Sequence, residues 1–114
     1  MEKVLTVVIP SFNVEKYLRQ TLESLRNEEI LEDVEVLIVD DGSTDGTAKI
    51  GKEYEKRYPQ THREISKTNG GHGSTINCGI EQSRGTFFKV VDGDDWVNTE
   101  ALIEVVRRLK TCGA

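Results

Sequence analysis

The sequence predicts an α/β protein: a parallel sheet of about four strands with helices on both faces. Two observations carry that expectation. Short runs of β-branched and aliphatic residues alternate with segments whose apolar residues recur at helical spacing. Each apolar run also closes on a cluster of turn and cap residues, as expected where a strand hands over to a helix.

Lys3 to Ile9 is short, β-branched and nearly continuous in apolar character, which predicts a buried strand. Pro10 is expected to end it, because proline cannot donate to a sheet ladder. Asn13 then offers an N-cap, and Val14, Leu18, Leu22 and Leu25 predict a helix over about 14–27. Val34 to Val39 repeats the strand pattern and stops at Asp40-Asp41-Gly42-Ser43, where Ser43, Thr44 or Asp45 are candidate caps. Ile50, Tyr54 and Tyr58 mark a second helix that ends before Pro59. A weaker strand is expected near Arg63 to Ser66, followed by the glycine-rich Asn69 to Ser74. A third helix is expected to hold Ile76 and Ile80 and to be terminated by Gly85. Thr86 to Val91 predicts a fourth strand, closing on Asp92-Gly93-Asp94-Asp95-Trp96. Thr99 is the expected cap of a last helix whose Leu102, Ile103, Val106 and Leu109 face inward, and Trp96 is expected in the core.

At 114 residues the chain is one domain in length. Its net charge of -5 argues against nucleic acid as the main partner. Cys78 and Cys112 belong to no CxxC pair or Cys/His cluster, so reduced thiols are expected rather than a disulfide framework or a zinc site. No apolar stretch approaches the ~20 residues of a membrane span, and the first residues do not form a signal peptide. A cytoplasmic location is therefore expected.

Ligands of parallel α/β sheets bind beyond the carboxyl ends of the strands. Every polar cluster falls there: Ser11 to Asn13, Asp40 to Ser43, Asn69 to Ser74, and Asp92 to Asp95. In the last cluster, closely spaced carboxylates repel one another, and a divalent cation relieves the conflict. Mg2+ and Mn2+ take one or two carboxylates together with phosphate oxygens and water. Gly93 allows the bend that aims the flanking carboxylates at one point. An acidic turn capping a helix would be written with the same residues, but the strand-end position favours a metal site. Asp41 is placed to accept from a base N–H or a ribose hydroxyl. Phe12 is placed to stack on a base, with a core phenylalanine as the alternative. Gly70-Gly71-His72-Gly73-Ser74 resembles a phosphate cradle, though it is neither GxGxxG nor a Walker loop. Asp41, Ser43, Asp45 and Gly46 match the opening of a calcium loop, but Lys52 stands where the bidentate glutamate is needed.

Val7-Val8-Ile9-Pro10-Ser11-Phe12-Asn13, Leu37 to Thr47, Asn69-Gly70-Gly71-His72-Gly73 and Val91-Asp92-Gly93-Asp94-Asp95 occur in one order and spacing. With these stretches the sequence resembles the family 2 glycosyltransferases of the GT-A fold, over essentially its whole length. The resemblance implies a Rossmann-like half domain with sheet order 3-2-1-4. It implies a nucleoside-diphosphate sugar as ligand, often UDP-linked, with Mn2+ or Mg2+. It implies that Pro10, Phe12, Asn13, Asp41, Gly71, His72, Asp92 and Gly93 surround the nucleotide sugar, while Asp94 leads and Asp95 supports the metal.

Two departures qualify this. Thr75-Ile76-Asn77 stands where the family commonly has Ala-Arg-Asn, so an arginine is missing and His72 is the candidate to take part of its work. The family's catalytic domain also continues well beyond 114 residues. Residues 1–114 are therefore expected to be the donor-binding part, truncated before the acceptor half. The resemblance implies a catalytic base past residue 114, and self-association through uncovered apolar surface is expected. Competing readings are a non-catalytic nucleotide-binding module and a nucleotidyltransferase. The latter usually carries a basic glycine-rich loop after the first strand, which Pro10-Ser11-Phe12-Asn13 is not. An aspartyl phosphatase is excluded by Trp96, which stands where that motif needs Thr or Val.

Overall fold

The computed structural model of the chain describes residues 3–111. Cys112, one of the two thiols considered above, lies outside them. The elements run β1 (Lys3–Ser11), α1 (Glu15–Ser24), β2 (Val34–Asp40), α2 (Thr47–Arg57), β3 (His62–Ser66), α3 (His72–Gln82), β4 (Gly85–Val90) and α4 (Thr99–Thr111). The four strands are parallel in the order β3-β2-β1-β4, as the resemblance implied. All nine residues of β1 but one, and all seven of β2, are buried, so the continuous apolar runs are the two central strands.

Side-chain alternation divides the core in two. Leu5, Val7, Ile9, Val34, Val36 and Ile38 point to one face, where Leu18, Leu22, Ile50, Tyr54, Leu102 and Val106 bring α1, α2 and α4 against them. Val8, Leu37 and Val39 point to the other face, packed by Ile65 and by Cys78 of α3.

Several local expectations are corrected. Pro10 does not end β1: the strand runs through Ser11, with Pro10 in register with Val39. The ladder to β4 has already stopped at Val8 opposite Val90, so the missing donor of Pro10 breaks no pairing there. Asn13 does not cap α1, which has no side-chain cap of its own and ends at Ser24 rather than near Asn27. Caps come instead from the loop before α2. Thr47 Oγ1 accepts from Val14 N at 2.9 Å and Asp45 Oδ2 from Glu15 N at 3.3 Å, while Glu15 Oε1 accepts from Gly46 N at 3.0 Å. The N-termini of α1 and α2 cap each other.

On α3, Thr75 and Gly79 face the sheet, and Ile80 is exposed. A Cβ at Gly79 would collide with the Val8 side chain, so the small residue lets the helix lie close on the strand. Gly85 opens β4 rather than ending α3. Asn98, not Thr99, caps α4, its Oδ1 accepting from Ala101 N at 3.0 Å. Trp96 is not in the core: it is 59% exposed, on the turn after β4.

Candidate functional site

The four strand ends are tied to one another in a closed circuit. Between the ends of β1 and β2, Asn13 N donates to Ser43 Oγ and Asn13 Oδ1 accepts from Thr44 N, both at 2.9 Å. Asn13 adopts the left-handed backbone (φ 53°) that asparagine tolerates best among non-glycine residues. Between β2 and the loop after β3, Asn69 Nδ2 donates to Asp41 O at 3.0 Å. Between α3 and the turn after β4, His72 Nε2 lies 2.8 Å from Asp92 Oδ1. Between that turn and β1, Gly93 N donates to Pro10 O at 3.1 Å.

Asp41 forms the buried corner of this circuit. Its side chain is 5% exposed, and its Oδ1 accepts from Lys67 Nζ and from Gly70 N, each at 2.9 Å. Its Oδ2 accepts from Gly71 N at 3.0 Å. Gly71 has φ 92°, a conformation that glycine adopts freely, and there its N–H reaches the carboxylate. Burial alone would push the Asp41 carboxyl up, but Lys67 and the two backbone donors outweigh it and hold it below its ordinary value. The carboxylate is therefore charged, desolvated and fixed.

Asp92, Asp94 and Asp95 form the exposed corner. Only the backbone of this turn is buried. A Cβ on Gly93 would stand 2.8 Å from Ser11 Oγ and from Val14 Cγ2, so glycine is required for the turn to lie against β1. The single hydroxyl proton of Thr21, buried on α1, is shared between Gly93 O, at 2.9 Å, and Asp95 O. Asp95 Oδ1 accepts from Trp96 N at 2.8 Å. Among the described residues, no group of three or more His, Cys, Asp and Glu side chains could hold a metal ion. An all-oxygen set of one or two exposed carboxylates nonetheless fits a hard cation that draws its other ligands from phosphate and water. Asp94 and Asp95 satisfy that description. The calcium-loop alternative finds no support, since Asp41 and Asp45 are already engaged by Lys67, Thr47 and backbone donors.

A cavity of about 290 Å³ opens between these corners, lined by Pro10, Ser11, Phe12, Asp41, Asn69, Gly71, His72 and Thr75. Phe12 is 49% exposed, which removes the core alternative for its ring. Of the expected site residues, Pro10, Phe12, Asp41, Gly71 and His72 line the cavity. Asn13 and Gly93 shape its margins through backbone contacts, and Asp92 joins it through His72. Asp94 and Asp95 sit outside the lining, on the adjoining turn. Three contributors escape the sequence reading. Lys67 compensates Asp41, Thr21 holds the acidic turn, and Thr75 lines the cavity. Only Lys67 gave any signal, as a lone basic residue at a strand end.

A sheet of this order, with its cavity over the carboxyl ends, is the Rossmann-like part of a GT-A fold. The Staphylococcus aureus poly(ribitol-phosphate) β-N-acetylglucosaminyltransferase TarS, residues 1–349, was solved in complex with UDP-GlcNAc. It superposes with a TM-score of 0.83 at 32% identity, covering 95% of this chain and 31% of that one. The mannosyltransferase PcManGT of Pyrobaculum calidifontis, solved with GDP-Man and Mn2+, shares the fold at 22% identity, with a TM-score of 0.80 over 94% of this chain and 32% of that one. The chain belongs to glycosyl transferase family 2, which it matches over residues 6–114. A curated relative is the uncharacterized glycosyltransferase EpsJ of Bacillus subtilis, 36% identical over 99 residues, or 87% of this chain and 28% of that protein. The chain spans less than a third of the length of the first curated relatives it matches.

Proposed function

We propose that residues 1–114 are the donor-binding part of an inverting glycosyltransferase. They would hold a nucleoside-diphosphate sugar, UDP-linked, together with Mn2+ or Mg2+. Phe12 stacks on the base and Asp41 accepts its N–H. Pro10 and Asn13 shape the base side of the cavity. The loop at Gly71 and His72, at the N-terminus of α3, lies toward the diphosphate. Asp92 and Gly93 adjoin the ribose, and Asp94 and Asp95 face the cation. When bound, the cation neutralises the charge that develops on the departing diphosphate.

The observation that carries this reading is the His72–Asp92 contact, which brings the acidic turn to the edge of the base cavity. The same reading accounts for the lack of a ready-made metal site among the described residues: two exposed carboxylates become a binding set once a diphosphate supplies further oxygens. In the whole protein we propose transfer to a glycan or lipid-linked acceptor in surface polysaccharide synthesis. The acceptor-activating base is assigned outside these residues, because the carboxylates around the cavity are engaged as described. On this reading the 114-residue chain binds donor nucleotide and transfers no sugar.

Calorimetric titration with UDP, TDP and GDP, each with and without Mn2+, tests it. The expected result is binding of UDP that strengthens by about tenfold or more with Mn2+ and loses that increment in Asp94→Ala. Binding equally tight without metal would remove the proposal, as would an unchanged metal increment in the variant.

A further inference from the structure

Resting on that nucleotide reading, the base selectivity of the cavity follows from what Asp41 has left to accept. An ionised carboxylate offers about four acceptor positions, two on each oxygen. Oδ1 is filled by Lys67 Nζ and Gly70 N, and one position on Oδ2 is filled by Gly71 N. Lys67 is fixed in its turn. Its three ammonium protons go to Asp41 Oδ1, to Ser74 Oγ at 2.8 Å and to Thr68 O at 2.6 Å. It spans the end of β2 and the first turn of α3.

We propose that Lys67 is a specificity-determining positioning residue. By saturating Oδ1 it leaves Asp41 one open acceptor position, on Oδ2, which matches the cavity to a base offering a single imide N–H, uracil or thymine. Guanine presents N1–H and an N2 amino proton side by side and needs both carboxylate oxygens free. Removing the ammonium opens Oδ1 and lets the paired donors of guanine compete.

A second consequence concerns the charge of Asp41. The groups around it are few: Lys67 from the loop after β3, His72 from α3 on the same cavity, and Asp40 on its own strand, while β1 contributes only Pro10, Ser11 and Phe12. Among these Lys67 is the one cation in contact with the carboxylate, so without it burial pushes the carboxyl up.

The test is calorimetric titration of UDP, TDP and GDP, with Mn2+, into the wild type, Lys67→Met and Ser74→Ala. The carboxyl group of Asp41 is followed by NMR against pH in the nucleotide-free proteins. The wild type is expected to prefer UDP and TDP over GDP by about tenfold or more. Lys67→Met is expected to narrow that ratio to within about threefold and to raise the Asp41 titration. A purely structural loss would weaken all three nucleotides alike and leave the ratio in place. Ser74→Ala removes one acceptor of the ammonium and keeps every charge, so it is expected to narrow the ratio partway even if Lys67→Met does not fold. A UDP-to-GDP ratio unchanged in the folded variants overturns the role of Lys67 while leaving the nucleotide reading standing. A wild type that binds none of the three overturns the nucleotide reading and the selectivity with it.

Discussion

Asp40-Asp41-Gly42 and Asp92-Gly93-Asp94-Asp95 are written in nearly the same letters, each at the carboxyl end of a parallel strand, and the fold treats them in opposite ways. Around Asp41 the chain supplies an ammonium and two backbone donors and removes water. Around Asp94 and Asp95 it leaves the carboxylates in solvent, with a single local bond from Trp96 N to Asp95, and fixes the backbone beneath them through Thr21, Pro10 and Ser11. A carboxylate completed by the protein is part of the scaffold and presents a defined remainder to a ligand. One held in place but uncompleted is a binding group, because its missing partners must come from outside. Acidic residues at strand ends thus have two uses, and burial with partners separates them.

The largest effect expected from this contrast is on stability. Asp41→Ala would remove the acceptor shared by the half-buried Lys67 ammonium and the Gly70 and Gly71 N–H groups. One charge-assisted and two backbone hydrogen bonds are together worth about 3 kcal/mol. Asp94→Ala removes an exposed charge from a repelling cluster and should change stability by no more than about 0.5 kcal/mol in either direction. Urea unfolding of the two variants checks the pair, and similar losses in both would erase the difference between the two corners.

A pH titration of stability sharpens it further, once His62 is separated. That ring is 1% exposed, packed between Tyr54 and Tyr58, and neither nitrogen has a partner among the described residues. Burial pushes its pKa down to about 4, opposed by Glu23 and helped by Arg26. The folded value lies below the ordinary 6.5, so the unfolded chain takes up the proton first as pH falls. Stability is therefore full above about pH 6.5 and drains away down to about pH 4, by roughly 3 kcal/mol in all. Asp41 runs on a lower window. Its folded value is depressed below the ordinary 3.8, so its contribution survives that range and is lost only as pH falls through the folded value. Denaturation at pH 7 and pH 5 should show a loss that His62→Phe abolishes and that Asp41→Asn leaves in place. A loss that follows Asp41 instead would reverse the assignment.

Much of this contrast could not be read from the letters. The sheet, its four helices and the four polar strand ends were legible because buried parallel strands and amphipathic helices impose their own periods on the sequence. Phe12, Asp41, Gly71 and His72 were legible as cavity residues because strand ends fix where the chain emerges. What was not legible is pairing across distance. Lys67 meets Asp41 from 26 residues away and Thr21 meets Gly93 from 72, and neither names its partner from within its own segment. The caps of α1 failed for the same reason, since Asp45 and Thr47 lie 30 and 33 residues from the groups they satisfy. Side-chain size misled at Trp96, which suggested a core position on a turn that faces solvent, and the inner face of α3 went unread because close approach there selects the small Thr75 and Gly79.

Thr21 gives the smallest and most local test of the exposed corner. Its hydroxyl is the contact from α1 to the carbonyls of Gly93 and Asp95, and Val97 N and Thr99 Oγ1 reach the same helix one turn on, at Ser24. Thr21→Val keeps the shape and removes the one hydroxyl proton that these carbonyls share, at a cost of about 1 kcal/mol. The turn stays attached through Gly93 N and Ser24, so the chain should fold and the Asp41 corner should be unaffected. The aim of Asp94 and Asp95 should loosen. The Mn2+-dependent part of UDP affinity is then expected to fall several-fold while the metal-independent part is unchanged. Equal losses in both parts would mean that α1 supports the whole cavity. No loss in either would mean that the acidic turn needs no support from Thr21, and its backbone anchoring would have to be credited to the Gly93 contact with β1 and to Ser24.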